Sequence, residues 1–105
     1  SQVNVSAATS LAQAFDIAAA AAGLSQTTVG AGHPGVIAAH TGVFDWFQFG
    51  GNTYIVEAIN NTNSAATHTA LQASDAIIKI TGVFDLTASQ LVIGTAVIGN
   101  HIVFA

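Results

Sequence analysis

Charged residues are scarce in this sequence. Lys, Arg, Asp and Glu together make up 6 % of its 105 residues, whereas an ordinary globular domain carries roughly 25 %. The single basic residue, Lys79, stands against five acidic ones. One cation cannot neutralise a row of phosphates or hold a protein on an anionic bilayer, so nucleic-acid binding and adsorption to such membranes are excluded.

Sulfur is absent as well, because the chain has neither Cys nor Met. Without Cys there is no disulfide, no thiolate metal site and no cysteine nucleophile. The joint absence suits a protein exposed to oxidants outside the cell, since both residue types oxidise there. Long apolar runs are missing too, and none approaches the roughly 20 residues that a spanning helix needs. We therefore expect no membrane insertion.

Uncharged polar and small residues have replaced the missing charge, while the apolar share stays at 51 %. A surface without charge tends to associate. One interpretation is a small domain kept in solution by amides and hydroxyls alone. The other, which we favour, is a subunit that covers much of its surface against copies of itself or against another protein.

The clearest helical pattern runs from Leu11 to about Ala22. Thr9 or Ser10 can cap its start, and Gly23 stands where a C-terminal cap belongs. Apolar residues at helical spacing define one face, which is expected to pack on the rest of the fold. These residues are Leu11, Ala14, Phe15 and Ala18.

The remainder of the chain has the pattern of β-structure. A strand with the sequence VFDWFQF starts at Val43, the residues Gly50-Gly51-Asn52 supply a tight turn, and Thr53 to Ala58 returns as its partner. Further strands are predicted at Ala76–Thr81, which looks buried, and then at Leu91–Ile93 and His101–Phe104, while Val36–His40 suggests a short helical turn. We expect one α+β domain over residues 1–105, with an N-terminal helix packed on a mostly antiparallel sheet that covers about residues 43–105.

An aromatic cluster lies on this hairpin. As core it would form the helix-packing face; as an exposed surface it would anchor another protein or a sugar ring. Alternation does not decide between the two, because apolar residues fall on both faces of the strand. A strand that is apolar on both faces is either covered twice or covered by another subunit, and we take the cluster as the candidate assembly or binding surface. Its members are Phe44, Trp46, Phe47, Phe49 and Tyr54.

No arrangement of reactive groups predicts an enzyme. The four histidines are too scattered for a metal motif, no GxSxG or SxxK sequence places a nucleophile beside a base, and phosphate-binding glycine loops are missing. Asp45, Asp75 and Asp85 fall at strand edges or turns, where backbone carbonyls could join them around calcium. Turn and cap roles are the favoured interpretation of these three, with calcium as the one candidate cofactor.

Two segments resemble a known family. FDWFQFGGNTYIVE from Phe44 to Glu57, followed by DAIIKITGVFDL from Asp75 to Leu86, is similar to the C-terminal domain of bacterial surface proteins exported by type I secretion. These are S-layer and RTX-related proteins, including those with a bluetail domain. The Ala-rich stretch from Ala14 to Ala20 corresponds to a segment that precedes the aromatic strand in that family.

The resemblance implies an extracellular or cell-surface location, export by an uncleaved C-terminal signal, and a place in a surface layer, filament or matrix. The expected partner is then a second copy or another surface-layer protein. We expect a structural assembly module that associates through a charge-poor apolar surface. The alternative is a secreted glycan- or peptide-binding module that uses exposed aromatic side chains.

Overall fold

The computed structural model describes residues 1–22, 36–88, 90–92 and 101–103, and within them the chain has the expected α+β fold. An N-terminal helix is followed by strands that pair only in antiparallel fashion. The elements are α1 (Leu11–Ala21), β1 (Val36–Ile37), β2 (Thr41–Phe49), β3 (Asn52–Asn60), β4 (Ala66–Thr67), β5 (Ala76–Thr81), β6 (Gln90–Val92) and β7 (His101–Val103).

The main sheet has three strands in the order β2-β3-β5. The predicted hairpin supplies two of these strands, and β3 is the central one. A turn at Gly50 and Gly51 joins β2 to β3, and their φ values of 57° and 82° suit glycine. Phe47 lies opposite Tyr54, and Tyr54 lies opposite Lys79 on β5. Two smaller antiparallel pairs, β1 with β4 and β6 with β7, complete the described strands.

Helix α1 forms where the sequence predicted it. Ser10 is its N-cap, and the Ser10 hydroxyl accepts a 3.2 Å hydrogen bond from the backbone N–H of Gln13. Ala14 and Ala18 are fully buried on the predicted face. Their small side chains let the helix approach the sheet closely, and Phe15 packs beside them against that face. The expected cap at Gly23 lies outside the described residues.

The core on the helix side is built on aromatic contacts. The Phe15 ring meets Phe47 edge-on at a centroid distance of 5.4 Å and Tyr54 at 5.3 Å. Phe47 and Tyr54, paired across β2 and β3, stack on each other at 5.4 Å. Such pairs add to the free energy gained by burying the rings.

The opposite face of the sheet is covered separately. Trp46 and Ile55, a cross-strand pair, are buried there together with Leu86, which follows β5 in the chain. Both faces of β2 are therefore covered within one chain, which accounts for its apolar residues on both sides. The predicted helical turn at Val36–His40 is wrong: Val36 and Ile37 form β1, and a turn follows at Ala39 and His40.

Candidate assembly surface

Strand β5 lies at one edge of the main sheet, with β3 as its strand neighbour. Among the described residues, every exposed large hydrophobic side chain falls in the short stretch of residues 77–84. They are Ile77 (42 % exposed), Ile78 (48 %), Val83 (61 %) and Phe84 (49 %). The prediction of a buried strand at Ala76–Thr81 is thus wrong for Ile77 and Ile78, whereas Ile80 is partly buried against a core cluster. As an edge strand, β5 has a strand neighbour on one side only. In addition, no described residue covers the exposed parts of Ile77 and Ile78 on the two faces of the sheet.

The turn after β5 is fixed in place by hydrogen bonds to the hairpin. The Thr53 hydroxyl donates to the carbonyl of Gly82 at 2.9 Å and accepts from the backbone N–H of Phe84 at 2.9 Å. The Gln48 side-chain amide donates to the Phe84 carbonyl at 2.8 Å. Gly82 has a φ of 105°, a conformation that favours glycine. Val83 and Phe84 are therefore presented to solvent from a defined turn.

The other edge of the sheet is contacted by the N-terminal segment at one position. The backbone N–H of Val3 donates to the carbonyl of Trp46 at 2.8 Å, and the N–H of Trp46 donates to the carbonyl of Ser1 at 3.0 Å. This is a single parallel bridge, at Gln2 and Trp46. Within the described part of the chain, no residue pairs with the outer side of β5, and an open edge is a template for a further strand.

Lys79, the one cation, stands near the middle of β5 and is exposed. No ion pair between Lys79 and any described residue is found. A lysine within an edge strand limits the ways in which a further strand can pair with it, because a buried or like-charge contact would be unfavourable. A charged side chain thus stands within an otherwise uncharged edge strand.

Negative charge collects at the start of β5. Asp75 Oδ1 accepts a hydrogen bond from the backbone N–H of Ile59 at 2.8 Å and another from His68 Nε2 at 3.1 Å. Asp75 Oδ2 accepts from the N–H of Gln72 at 2.9 Å. Through the bond from Ile59, a residue of β3, the Asp75 carboxylate extends the contact between β5 and β3 to the residue before Ala76, where β5 begins.

Glu57 lies opposite Ala76, the first residue of β5. Burial raises the pKa of Glu57, and the negative charge of Asp75 raises it further. Gly42 gives the Glu57 side chain its space, since a Cβ at Gly42 would collide with the carboxylate. Two carboxyl groups thus lie near the start of β5, Glu57 on the neighbouring strand and Asp75 with a side chain that is 0 % exposed.

The aromatic residues predicted as the surface are largely interior. Phe47 is completely buried, and Trp46 and Tyr54 are each 6 % exposed, which corrects their assignment to an exposed surface. Phe44 and Phe49 are half-buried beside the two core clusters. The reason is the double covering of the sheet, by α1 on one face and by the segment that contains Leu86 on the other.

The three candidate calcium ligands are not brought together. Asp45 is buried on β2, where its Oδ1 lies 3.2 Å from the Ser1 ammonium and its Oδ2 has no partner among the described residues. Burial raises the pKa of Asp45, and the ammonium opposes this in part. Asp85 is exposed and accepts from the N–H of Thr87 at 2.9 Å; hydrogen bonds from Thr87 lower its pKa. The described residues contain no group of three carboxylate or imidazole side chains placed to hold a metal.

No helix in the described ranges is long and apolar enough to span a bilayer. No protein-family model matches this chain, and no curated protein matches it significantly. The resemblance to surface-layer domains therefore stays a prediction.

Proposed function

We propose that this chain is a structural module of an extracellular bacterial assembly, such as a surface layer, filament or matrix, and that it associates with further copies through the β5 edge. The observation that carries the proposal is the confinement of the exposed large hydrophobic side chains, among the described residues, to residues 77–84 on and after that edge.

Two contributions favour association at the β5 edge. Covering Ile77, Ile78, Val83 and Phe84 removes apolar surface from water, at roughly 25 cal/mol per Å². Strand addition also satisfies the backbone N–H and C=O groups that an edge strand turns away from its own sheet. Charge does not oppose the contact strongly, because charged residues make up only 6 % of the chain.

The extracellular setting belongs to the same proposal. It is supported by the absence of Cys and Met and by the resemblance to exported surface-layer domains. A glycan-binding role is less well supported, because Trp46 and Tyr54, the side chains that would stack on a sugar, are buried in the core.

Static light scattering over a range of concentrations, with calcium and with a chelator, tests this function. Ile78→Lys places a charge on the β5 edge and is expected to abolish association. Ala12→Lys adds the same charge at an exposed position of α1 and should leave association unchanged. A wild-type chain that stays monomeric at all concentrations, in both conditions, would contradict the proposal.

A further inference from the structure

We infer that a groove beside the end of β2 binds an extended, uncharged peptide segment through its main chain. The groove has a volume of about 620 Å³ and lies between the N-terminal arm, residues 1–8, and the last residues of β2. It is separate from the β5 edge, so it adds a binding function to the proposed assembly role.

The groove begins where the pairing of the arm with β2 ends. That pairing is confined to the one parallel bridge at Gln2 and Trp46. Beyond the bridge the arm and β2 separate. Arm residues between Gln2 and Ala8 line the groove on one side, and residues from Gln48 to Gly50 line it on the other.

Main-chain groups without partners belong to the residues on both sides of the groove. Trp46 directs its N–H and C=O toward the arm. Gln48 lies two residues further along β2, so the alternation of an antiparallel pair turns its N–H and C=O to the same side. Neither group is bonded to any described residue. On the arm, the C=O of Val3 and the N–H of Val5 likewise have no partner among the described residues.

The side chains of the lining leave these main-chain groups accessible. The Gln48 side chain is engaged elsewhere, because its Nε2 donates to the carbonyl of Phe84 at 2.8 Å. The Asn4 side chain is held in place, since its Oδ1 accepts from the backbone N–H of Ser6 at 2.9 Å. The Asn4 Nδ2 therefore remains as a further donor for a ligand carbonyl.

The chemistry of the lining selects the ligand. None of the nine lining residues is charged, and a charge moved from water into such a place would lose hydration without gaining a counter-charge. An added strand obtains its affinity from main-chain hydrogen bonds, which are what Gln48 offers. A sugar would need an open aromatic face, but Phe49, the one aromatic residue of the lining, packs against the core cluster on the helix side. An uncharged peptide in extended conformation therefore fits the groove better than a sugar.

An NMR titration of the full chain with the peptide acetyl-Thr-Val-Thr-Val-Thr-amide tests the inference. The amide signals of Gln48 and Val5 should shift, and hydrogen exchange of the Gln48 N–H should become at least about tenfold slower at saturating peptide. A probe that is N-methylated at both of its valines lacks two main-chain donors. It is expected to bind at least about tenfold more weakly.

A matched pair of substitutions locates the site. Asn4→Asp keeps the acceptor for the Ser6 N–H but replaces the free donor with a negative charge, so it should weaken peptide binding at least about tenfold. Asn61→Asp makes the same change at an exposed residue outside the groove and should leave the affinity unchanged. Both residues are exposed, so both variants should fold.

The possible outcomes either support or overturn the inference. Slowed exchange on β5 in place of Gln48 would move the peptide to the β5 edge and overturn the groove as its site. Cellobiose, a neutral sugar, should leave the Gln48 signal unchanged, and binding there as tight as that of the peptide would overturn main-chain pairing. No response to the peptide at all would overturn the binding function, whereas association through β5 is measured separately by light scattering.

Discussion

His68 and Asp75 form a hydrogen-bonded pair in the interior, with 3.1 Å between Nε2 and Oδ1 and with side chains 1 % and 0 % exposed. The other ring nitrogen, Nδ1, is buried without a partner among the described residues. Because Asp75 also accepts two backbone N–H groups, its carboxylate ties the start of β5 to β3 and to the loop before it.

We predict that Asp75→Ala lowers the free energy of unfolding by about 2–4 kcal/mol, because a buried donor left without its acceptor costs about 1–3 kcal/mol. The substitution leaves His68 and the N–H groups of Ile59 and Gln72 without their acceptor. Asp16→Ala is the control, since the exposed Asp16 accepts one hydrogen bond from the N–H of Leu71. Urea denaturation should show a much larger loss for Asp75→Ala; equal losses would contradict the anchoring role.

We predict that the titration of Asp45 makes the free energy of unfolding depend on pH. Its pKa in the folded protein is raised above the ordinary 3.8, so the fold favours the protonated form. Its contribution to stability is present below that ordinary value and is lost as the pH rises through the folded pKa. Asp45→Asn cannot ionise and should therefore gain on the order of 1 kcal/mol relative to wild type between pH 3 and pH 7.

Asp85 supplies the matched control for this measurement, because its pKa is lowered. The pH dependence of its contribution to stability therefore has the opposite sign. Asp85 contributes stability above its ordinary pKa, and this is lost as the pH falls. Asp85→Asn should accordingly lose stability at neutral pH relative to acid. Urea denaturation at a series of pH values measures the stability of both variants relative to wild type. A pH dependence of the same sign for Asp45→Asn and Asp85→Asn would contradict the opposite pKa shifts of the two carboxyl groups.

Trp46→Ala distinguishes a core tryptophan from a binding one. Trp46 packs with Ile55 and Leu86, so the truncation should cost about 3–5 kcal/mol of folding free energy. Phe84→Ala, at a half-exposed aromatic residue, should change stability far less while weakening association. Thermal unfolding and light scattering of both variants give the comparison, and a stable Trp46→Ala protein would show that Trp46 is not part of the core.

Gly82 is predicted to be the least replaceable glycine among those that the structure describes at positive φ. Its φ of 105° is strained for other residues, and a Cβ there would lie 3.0 Å from the Phe84 ring. Gly82→Ala should lower stability by about 1–3 kcal/mol. Gly50→Asn, at a φ of 57° with open space around it, should be nearly neutral, because Asn tolerates the left-handed region.

The parts of the fold that the sequence predicted depend on short-range patterns. The helix has its cap at Ser10 and an apolar face at helical spacing, and the hairpin has a two-glycine turn between β-branched and aromatic residues. Each of these patterns lies within about a dozen residues. They can therefore be recognised without knowledge of any distant contact.

The features that escaped prediction depend on contacts between distant residues. Nothing local indicates that Asp75 accepts the N–H of Ile59, or that Leu86 covers Trp46. A strand was predicted at Ala76–Thr81, where β5 lies, but its place at the edge of the sheet was missed, because three isoleucines suggested a buried strand. Lys79 in their midst was the available evidence for an edge, since edge strands commonly carry a lysine.

The bridge between Gln2 and Trp46 places the N-terminal segment of the same chain beside the middle of β2, whereas no described residue pairs with the outer side of β5. Under the proposed function, each copy would then offer β5 as its one unobstructed edge of the main sheet. Association through that edge alone would join copies in pairs, and a larger array would need a second kind of contact.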